Sequence, residues 1–355
     1  MSAPAPIPRA VFDEWRMPRF GTDNPTRHDN ELWASLVRDP EPINAYQVNK
    51  RFGYAGRGEG PTWCFDRFGR TTTTIPDGRT LHVAGEHEDY YDPDFYIYND
   101  VIVVAPDNTV AIYGYPRAAF PPTDFHTATL VGNQLWLVGN LGYADARKPG
   151  TTQVCRLDLT TMAIERLQTH GDPPGWIHKH EAALEGNAIV VRRGLVDPGG
   201  ELPFAENIDD WALDLATLAW TRRTARDWQR FGLRRRDGKR TLLWELRQLL
   251  WHREHPDFGR DMRERYEKEL PHDPDLTLLA TLYVCDGATP LDEHEDEYNV
   301  YRIELDGVHV RFTEDGHRIA AMVEGRLADD RLRMLQDHVI DRLTALHATA
   351  WELES

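Results

Sequence analysis

The sequence is poor in cysteine and has no long apolar run. Its three cysteines, Cys64, Cys155 and Cys285, lie far apart and form no Cys-x-x-Cys pair, which argues against a disulfide framework and favours a reducing, cytoplasmic location. No stretch approaches the roughly eighteen apolar residues of a membrane span. The Ala- and Pro-rich start lacks the charged segment and apolar core of a signal peptide.

Positive charge is also scarce. The 41 Lys and Arg residues face 58 Asp and Glu residues, so the formal net charge is −17. The averaged field repels nucleic acid and anionic membranes, and we expect neither as a partner. Several catalytic signatures are missing as well, among them Gly-x-Ser-x-Gly, the phosphate-binding loop and His-Glu-x-x-His. Without these motifs, the sequence identifies no cofactor.

Aromatic residues, in contrast, are plentiful. The chain has 11 Trp, 13 Tyr and 12 Phe, with 41% hydrophobic and 28% charged residues overall. The hydrophobic and charged fractions are typical of a folded globular protein. Large aromatic side chains are favoured on half-buried β surfaces, so the composition favours β structure.

A repeat runs through the middle of the chain. Leu81, Leu135 and Ile189 are spaced 54 residues apart, and each opens an apolar run after a turn that contains Gly. Two further short strands are expected after each run, and the segments that begin at His126 and His180 align upstream of the second and third runs. The pattern predicts four strands in each 54-residue unit.

Four strands in a unit of this length resemble the kelch repeat, one blade of a β-propeller. The resemblance covers roughly residues 63–228, where Lys179 is similar to the basic residue before strand one and Trp220 to the Trp of strand four. The Gly pair of the family is reduced to single residues, Gly85 and Gly139, in the first two units. The resemblance implies a mainly β protein with a partial or irregular kelch-like β-propeller.

The ends of the chain differ from its middle in their residue patterns. Pro-rich residues up to about 25 predict an extended arm, followed by a helix that Asp29 caps. Helical spacing of leucines is found between 239 and 252 and again between 329 and 347, and strands are expected at 276–285 and between 298 and 324. The predicted segments are an arm with short helices (1–60), β repeats (61–228), a helical insertion (229–272), and hairpins with a C-terminal amphipathic helix (273–355).

Histidines near the start of the third unit are candidate metal ligands. His178 and His180 alternate along a predicted strand, so both imidazoles face the same side, and His126 comes from the preceding unit. Because His126 and His180 occupy equivalent repeat positions, however, packing between blades is the favoured interpretation. A divalent metal is therefore the alternative cofactor and is not favoured.

An acidic, Tyr-rich loop is the candidate binding surface. Loops between successive strands are expected to converge on one rim, where aromatic side chains supply most of the contact energy. The predicted binding residues are Tyr90, Tyr91, Tyr96, Trp176, Glu88 and Asp89.

A basic run between 222 and 240 contrasts with the acidic chain. Guanidinium groups hold phosphates well, which makes Arg234, Arg235 and Arg236 candidate anion-binding residues. The favoured alternative is that these charges meet acidic groups of the same molecule.

Together these features predict a non-catalytic binding module with a protein partner. One alternative is a metal-assisted hydrolase or oxidase on the propeller scaffold, using the three histidines. The other is anion or nucleic-acid binding through the 222–240 stretch.

Overall fold

A computed structural model describes residues 7–53, 60–88, 94–200, 204–256, 260–270, 273–291 and 299–354. The chain forms two compact units, Met1–Ala225 and Arg226–Ser355. Among the described residues, every helix is too short or too polar to cross a lipid bilayer.

The first unit is built on three antiparallel sheets, which we call the first, second and third repeat sheets. Each has four main strands, and each main strand pairs with the main strands before and after it in the chain. The strands are Thr71–Thr74, Thr80–Val83, Val101–Val104 and Val110–Gly114; then Thr127–Val131, Gln134–Val138, Val154–Asp158 and Ile164–Arg166; then Glu181–Glu185, Ala188–Arg192, Trp211–Asp214 and Ala219–Arg222.

The predicted 54-residue repeat is confirmed. Leu81, Leu135 and Ile189 lie in the second strands of the three repeat sheets, and all three side chains are fully buried. Each of these residues pairs with the central part of the first and third strands of its own sheet. Residues 54 positions apart therefore have matching environments.

Alternation along the strands places two cores between the sheets. In the second repeat sheet, Leu135 and Leu137 pack with side chains of the first sheet, whereas Trp136 and Val138 pack with those of the third. Successive side chains of a strand point to opposite faces. A strand that is apolar on both faces is therefore buried on both sides, which explains the run Leu-Trp-Leu-Val at 135–138.

The chain makes the same left-handed corner before each repeat sheet. Gly69, Phe125 and Lys179 have φ angles of 61°, 47° and 52°. The amide of Phe125 donates to the carbonyl of Gly69 at 2.8 Å, and that of Lys179 donates to the carbonyl of Phe125 at 2.9 Å. The three corners are thus stacked by backbone hydrogen bonds from one sheet to the next.

The positions of the family's Gly pair keep their backbone shape. Ala84 and Gly85 both have positive φ angles, as do Arg193 and Gly194, although only the second residue of each pair is Gly. A left-handed residue with a Cβ is uncommon and costly. The first and third repeats therefore keep the backbone turn of the Gly pair, although the first residue of each pair is not Gly.

The N-terminal segment is not a free arm. It contains the helices Arg9–Trp15, Glu31–Val37 and Ala45–Arg51, and the strand Thr26–Arg27 pairs with the last strand of the first repeat sheet. Trp33 stacks on Trp63 with the ring centroids 5.1 Å apart, inside a core that includes Ile112 of that sheet. The prediction of an extended arm missed this packing, because proline density marks only local backbone limits.

Asparagines cap the second and third helices of the N-terminal segment. The side chain of Asn30, rather than that of the predicted Asp29, accepts from the amide of Trp33. Asn44 and Gln47 form a reciprocal capping box at the third helix. Both contacts satisfy amides that a helix start leaves without an intrahelical partner.

Smaller elements lie between the strands of the repeat sheets. They are the paired strands Glu86–His87 and Tyr96–Ile97, the ribbon Trp176–His178, Leu195–Asp197 and Ala205–Glu206, the 3-10 turn Ala144–Ala146, and the strand His170–Gly171, which runs parallel to Ala219–Arg222.

The second unit is an α+β structure with an antiparallel sheet and not a further repeat sheet. Its sheet has the spatial order Ala288–Leu291, Val300–Leu305, Val308–Glu314, Arg318–Val323, Gln229–Arg235 and Trp351–Leu353, and its helices are Leu243–Glu254, Arg260–Glu269, Leu276–Ala280 and Asp329–His347. The prediction of a strand at 276–285 is wrong, because Asp275 caps a short helix there. The expected C-terminal helix is confirmed from Asp329 to His347, with Leu335, Val339 and Leu343 buried.

The four segments expected from the sequence do not coincide with these two units. Residues 1–60 share a core with the first repeat sheet. The predicted insertion, 229–272, begins with a strand of the second unit's sheet, and Leu243 and Leu246 of its helix lie in the same core as that sheet.

The tight contact at Gly139 gives a test of the stacking between sheets. A Cβ at Gly139 would lie 2.4 Å from Cε1 of His180 and 2.5 Å from the carbonyl oxygen of Ile177. Gly132 also has a positive φ angle but has nothing within 4 Å. We expect Gly132→Ala to lower the free energy of unfolding by about 1 kcal/mol, and Gly139→Ala to lower it by about 2–4 kcal/mol because it adds a steric clash. Urea unfolding measures both variants, and equal losses would contradict the stacked arrangement.

Candidate functional site

The loops between the second and third strands of the three repeat sheets lie side by side. Their described residues are 84–88 and 94–100 in the first loop, 139–153 in the second, and 193–200 and 204–210 in the third. The amide of Ile97 donates to the hydroxyl of Tyr143 at 2.9 Å, and Arg147 pairs with Asp197 at 3.5 Å. Each loop therefore contacts the next, and we call the surface that they form the rim.

Trp176 is buried against the middle loop of the rim. Its indole nitrogen donates to the carbonyl of Leu141 at 3.0 Å, and the residue is only 3% exposed. The sequence predicted an exposed binding position for Trp176, and the burial of its side chain corrects that prediction. Its strand, Trp176–His178, pairs with Leu195–Asp197, which turns the indole inward against the loop at 139–153.

Of the other predicted binding residues, only two lie within the described residues. Tyr96 is half-buried, with its ring centroid 5.0 Å from that of Tyr98 and 5.9 Å from that of Phe20. Glu88 is exposed. Tyr90, Tyr91 and Asp89 lie outside the described residues.

Two exposed aromatic residues of the rim were missed from the sequence. Phe95 is 41% exposed and meets Tyr143 edge-on at 5.7 Å, and Phe204 is 39% exposed and lies 5.1 Å from the guanidinium of Arg147. Each is a large apolar residue in a polar loop between strands two and three. The shared loop position was the signal that could have identified them.

A cavity of about 530 Å³ opens at the rim. Its walls include the rings of Tyr143 and Trp176 and the cationic side chains of Arg117, Lys148 and Arg166. Among the described residues, no carboxylate lies within ion-pair distance of these three cations. The guanidinium of Arg117 instead lies 4.3 Å from the ring centroid of Phe20.

Two amide side chains fix the cavity wall. Asn140 accepts from the amide of Asp124 at 3.0 Å and donates to the carbonyl of Pro122 at 3.0 Å. Gln153 donates to the hydroxyl of Thr123 at 3.0 Å. Both amides have partners within the protein, so their role in this geometry is to hold the wall in place.

The histidines beside the stacked corners join neighbouring sheets. Nε2 of His126 lies 3.0 Å from the hydroxyl of Thr71, and Nε2 of His180 lies 2.9 Å from that of Thr127. The two contacts are equivalent in the repeat, which agrees with the packing interpretation. Burial lowers the pKa of both imidazoles to about 3.

His178 lies in a different setting from the other two candidate metal ligands. It is buried in the strand Trp176–His178 and meets the ring of Phe204 edge-on at 4.8 Å. Burial, with Lys179 and Arg147 nearby, lowers its pKa to about 4. Among the described residues, no three His, Cys, Asp or Glu side chains are grouped to hold a metal ion, so this geometry gives the metal hypothesis no support.

Glu86 is the acidic residue of the rim whose titration is most altered. Burial, together with the negative charges of Asp124 and Glu88, raises its pKa to about 7, and the positive charge of Lys179 opposes this shift. Burial also raises the pKa of Asp124, whose carboxylate accepts from the amide of Gly142 at 2.6 Å.

The predicted anion-binding arginines of the second unit are already paired. Arg234 and Arg236 lie 3.4 Å and 3.2 Å from the carboxylate of Glu352, and Arg235 lies 2.8 Å from that of Asp237. These contacts follow the alternative that the charges meet acidic groups of the same chain.

Comparison with known proteins supports the repeat interpretation. No protein-family model matches the chain. The chain is 26% identical over 171 residues to kelch domain-containing protein 3 of Bos taurus, 27% over 171 residues to that of Rattus norvegicus and 26% over 169 residues to that of Homo sapiens. These matches cover 46–47% of this chain and 42% of each relative.

The chain thus spans less than half of the length of these relatives. A solved structure described as the structure of YjhT matches over 74% of this chain and 83% of its own, with 12% identity and a TM-score of 0.35, a level that does not establish a shared fold. The sequence relatives and the three repeat sheets together support a partial kelch-repeat β-propeller.

The lowered pKa values of His126 and His180 predict that the stability of the fold depends on pH. Their pKa is about 3 in the folded chain against 6.5 for an unperturbed imidazole, so the unfolded chain takes up protons first as pH falls. Their contribution to stability should be complete above about pH 6.5 and decline toward pH 3. We expect NMR titration to show both imidazoles neutral at pH 5, and His180→Gln to weaken the pH dependence of the urea midpoint. Titration of His180 near pH 6.5 would contradict the burial.

Proposed function

We propose that the chain is a non-catalytic protein-interaction module and that its rim contacts the protein partner. The observation that carries the proposal is the exposure of Phe95 and Phe204 on the first and third loops of the rim, on either side of the middle loop. Exposed aromatic side chains at the centre of a surface supply most of the energy at many protein interfaces. A kelch-repeat scaffold is compatible with this use but does not by itself establish it.

Hydrogen bonds from Arg147 fix the middle loop of the rim. The guanidinium of Arg147 donates to the carbonyls of Leu141 and Gly142 at 3.0 Å and 3.2 Å. These bonds lie within the middle loop, and the Ile97–Tyr143 hydrogen bond and the Arg147–Asp197 ion pair connect that loop to its two neighbours. Preorganisation reduces the conformational entropy that binding would otherwise cost.

Two sets of contacts support binding over a metal-assisted enzyme or a nucleic-acid-binding protein. Nε2 of His126 and Nε2 of His180 contact threonine hydroxyls, so these atoms serve the packing between sheets. The net charge of −17 and the pairing of Arg234, Arg235 and Arg236 disfavour nucleic acid as a partner. A cytoplasmic location stays a prediction that accords with three buried free cysteines.

Truncating both rim phenylalanines tests the proposal. Because both side chains are exposed, Phe95→Ala/Phe204→Ala should leave the free energy of unfolding within about 0.5 kcal/mol per site. Loss of two interface aromatics should weaken capture of a partner at least about tenfold. Quantitative affinity purification from the source cells compares the wild-type chain, the double variant and Leu184→Ala, which is 44% exposed on the opposite, hairpin end of the third repeat sheet.

A specific partner should be retained by the wild-type chain and by Leu184→Ala and lost from the double variant. Binding constants of the purified partner then measure the size of the loss. Equal binding by all three chains would reject the rim as the contact surface.

A further inference from the structure

The rim cavity concentrates positive charge within an acidic chain. Arg117, Lys148 and Arg166 line it together with one carboxylate, that of Asp145, so the lining carries an excess of two positive charges. The complete chain carries a net charge of −17. A local excess of this sign is therefore a specific feature of the cavity and not a reflection of overall composition.

The cavity arginines differ from the other arginines of the same sheets. Arginines from 147 to 223 other than Arg166 lie within ion-pair distance of a carboxylate: Arg147, Arg156, Arg192, Arg193, Arg222 and Arg223. For Arg117 and Arg166, the described part of the chain offers no such carboxylate. Among the described residues from 147 to 223, the one guanidinium group without a carboxylate within ion-pair distance is therefore that of Arg166, which lines the cavity.

We infer that this cavity binds a phosphate monoester. An excess of two positive charges is balanced by one phosphoryl dianion, whereas a single carboxylate would leave one charge uncompensated. Two guanidinium groups and one ammonium group also supply enough donors for the three terminal oxygens of a phosphoryl group. This small-molecule site is distinct from the proposed protein contact through Phe95 and Phe204.

The rest of the cavity suits the organic part of such a ligand. The rings of Tyr143 and Trp176 and the prolines at 121 and 122 form its apolar walls. A volume of about 530 Å³ lies within the range of small-molecule sites, about 300–1,000 Å³. Because Asn140 and Gln153 are satisfied within the protein, charge and shape are the main determinants of selectivity.

Calorimetric titration of the full chain with phenyl phosphate tests the site directly. Phenyl phosphate combines a dianion with an aromatic ring, and benzoate and phenol supply the carboxylate and uncharged comparisons. We expect phenyl phosphate to bind at least about tenfold more tightly than benzoate, and the affinity to fall as salt is raised. Arg166→Ala and Arg117→Ala should each weaken binding at least about tenfold.

Arg156→Ala is the matched control. Arg156 lies on the same sheet as Arg166 but pairs with Glu165 at 2.5 Å and does not line the cavity. The Arg156→Ala variant should bind phenyl phosphate with the affinity of the wild-type chain. Near-ultraviolet circular dichroism checks that each variant is folded, and Arg166→Lys, which keeps the positive charge, should retain part of the affinity.

The outcomes separate the sources of the phosphoryl group. Competition by adenosine monophosphate would indicate a free metabolite, and competition by a short phosphotyrosine peptide would indicate a modified side chain; both support the site. Absence of phenyl phosphate binding, equal binding of benzoate, or unchanged affinity in folded Arg166→Ala and Arg117→Ala would overturn it. None of these results depends on Phe95 or Phe204, so failure here leaves the proposed protein contact standing.

Discussion

The stacked left-handed corners are the constraint on which the first unit depends. Gly69, Phe125 and Lys179 take the same unusual backbone conformation, and each corner after the first donates its amide to the carbonyl of the one before it. For Phe125 and Lys179 this conformation costs on the order of 1 kcal/mol each. The cost is offset by hydrogen bonds that fix the spacing of neighbouring sheets and bring His126 and His180 within reach of threonine hydroxyls.

Sheet spacing in turn determines the functional surface. Because the corners set neighbouring sheets side by side, the loops at 84–100, 139–153 and 193–210 contact one another and are held by Trp176 and Arg147. Exposed aromatic rings and a cationic cavity then lie on the same rim. The proposed protein contact and the inferred phosphoryl site are consequences of one repeated backbone arrangement.

Much of this architecture could be predicted because it is periodic. The spacing of Leu81, Leu135 and Ile189 reflects equivalent buried positions, and the leucine stripe after Asp329 reflects a helix with one buried face. The short helix Leu276–Ala280 could not be separated from a strand by periodicity, because five apolar and small residues fit either element. The capping residue Asp275 was the decisive local signal.

Exposure on the rim was less accessible to prediction. Trp176 is buried where its indole donates to the carbonyl of Leu141, whereas Phe204 is exposed in the loop between the second and third strands of the third repeat sheet, and no local pattern encodes this difference. The cationic cavity likewise combines residues from three separate stretches of the chain, Arg117, Lys148 and Arg166. Its lack of carboxylate partners among the described residues is a property of the tertiary structure alone.

Native-state hydrogen exchange at the corners measures the central claim most directly. The account predicts that the amides of Phe125 and Lys179 exchange as slowly as amides in the centre of the second repeat sheet, such as that of Leu137, although neither corner lies in a strand. Exchange of these two amides at the rate of exposed turn residues such as Asn133 would show that the sheets are not joined through their corners.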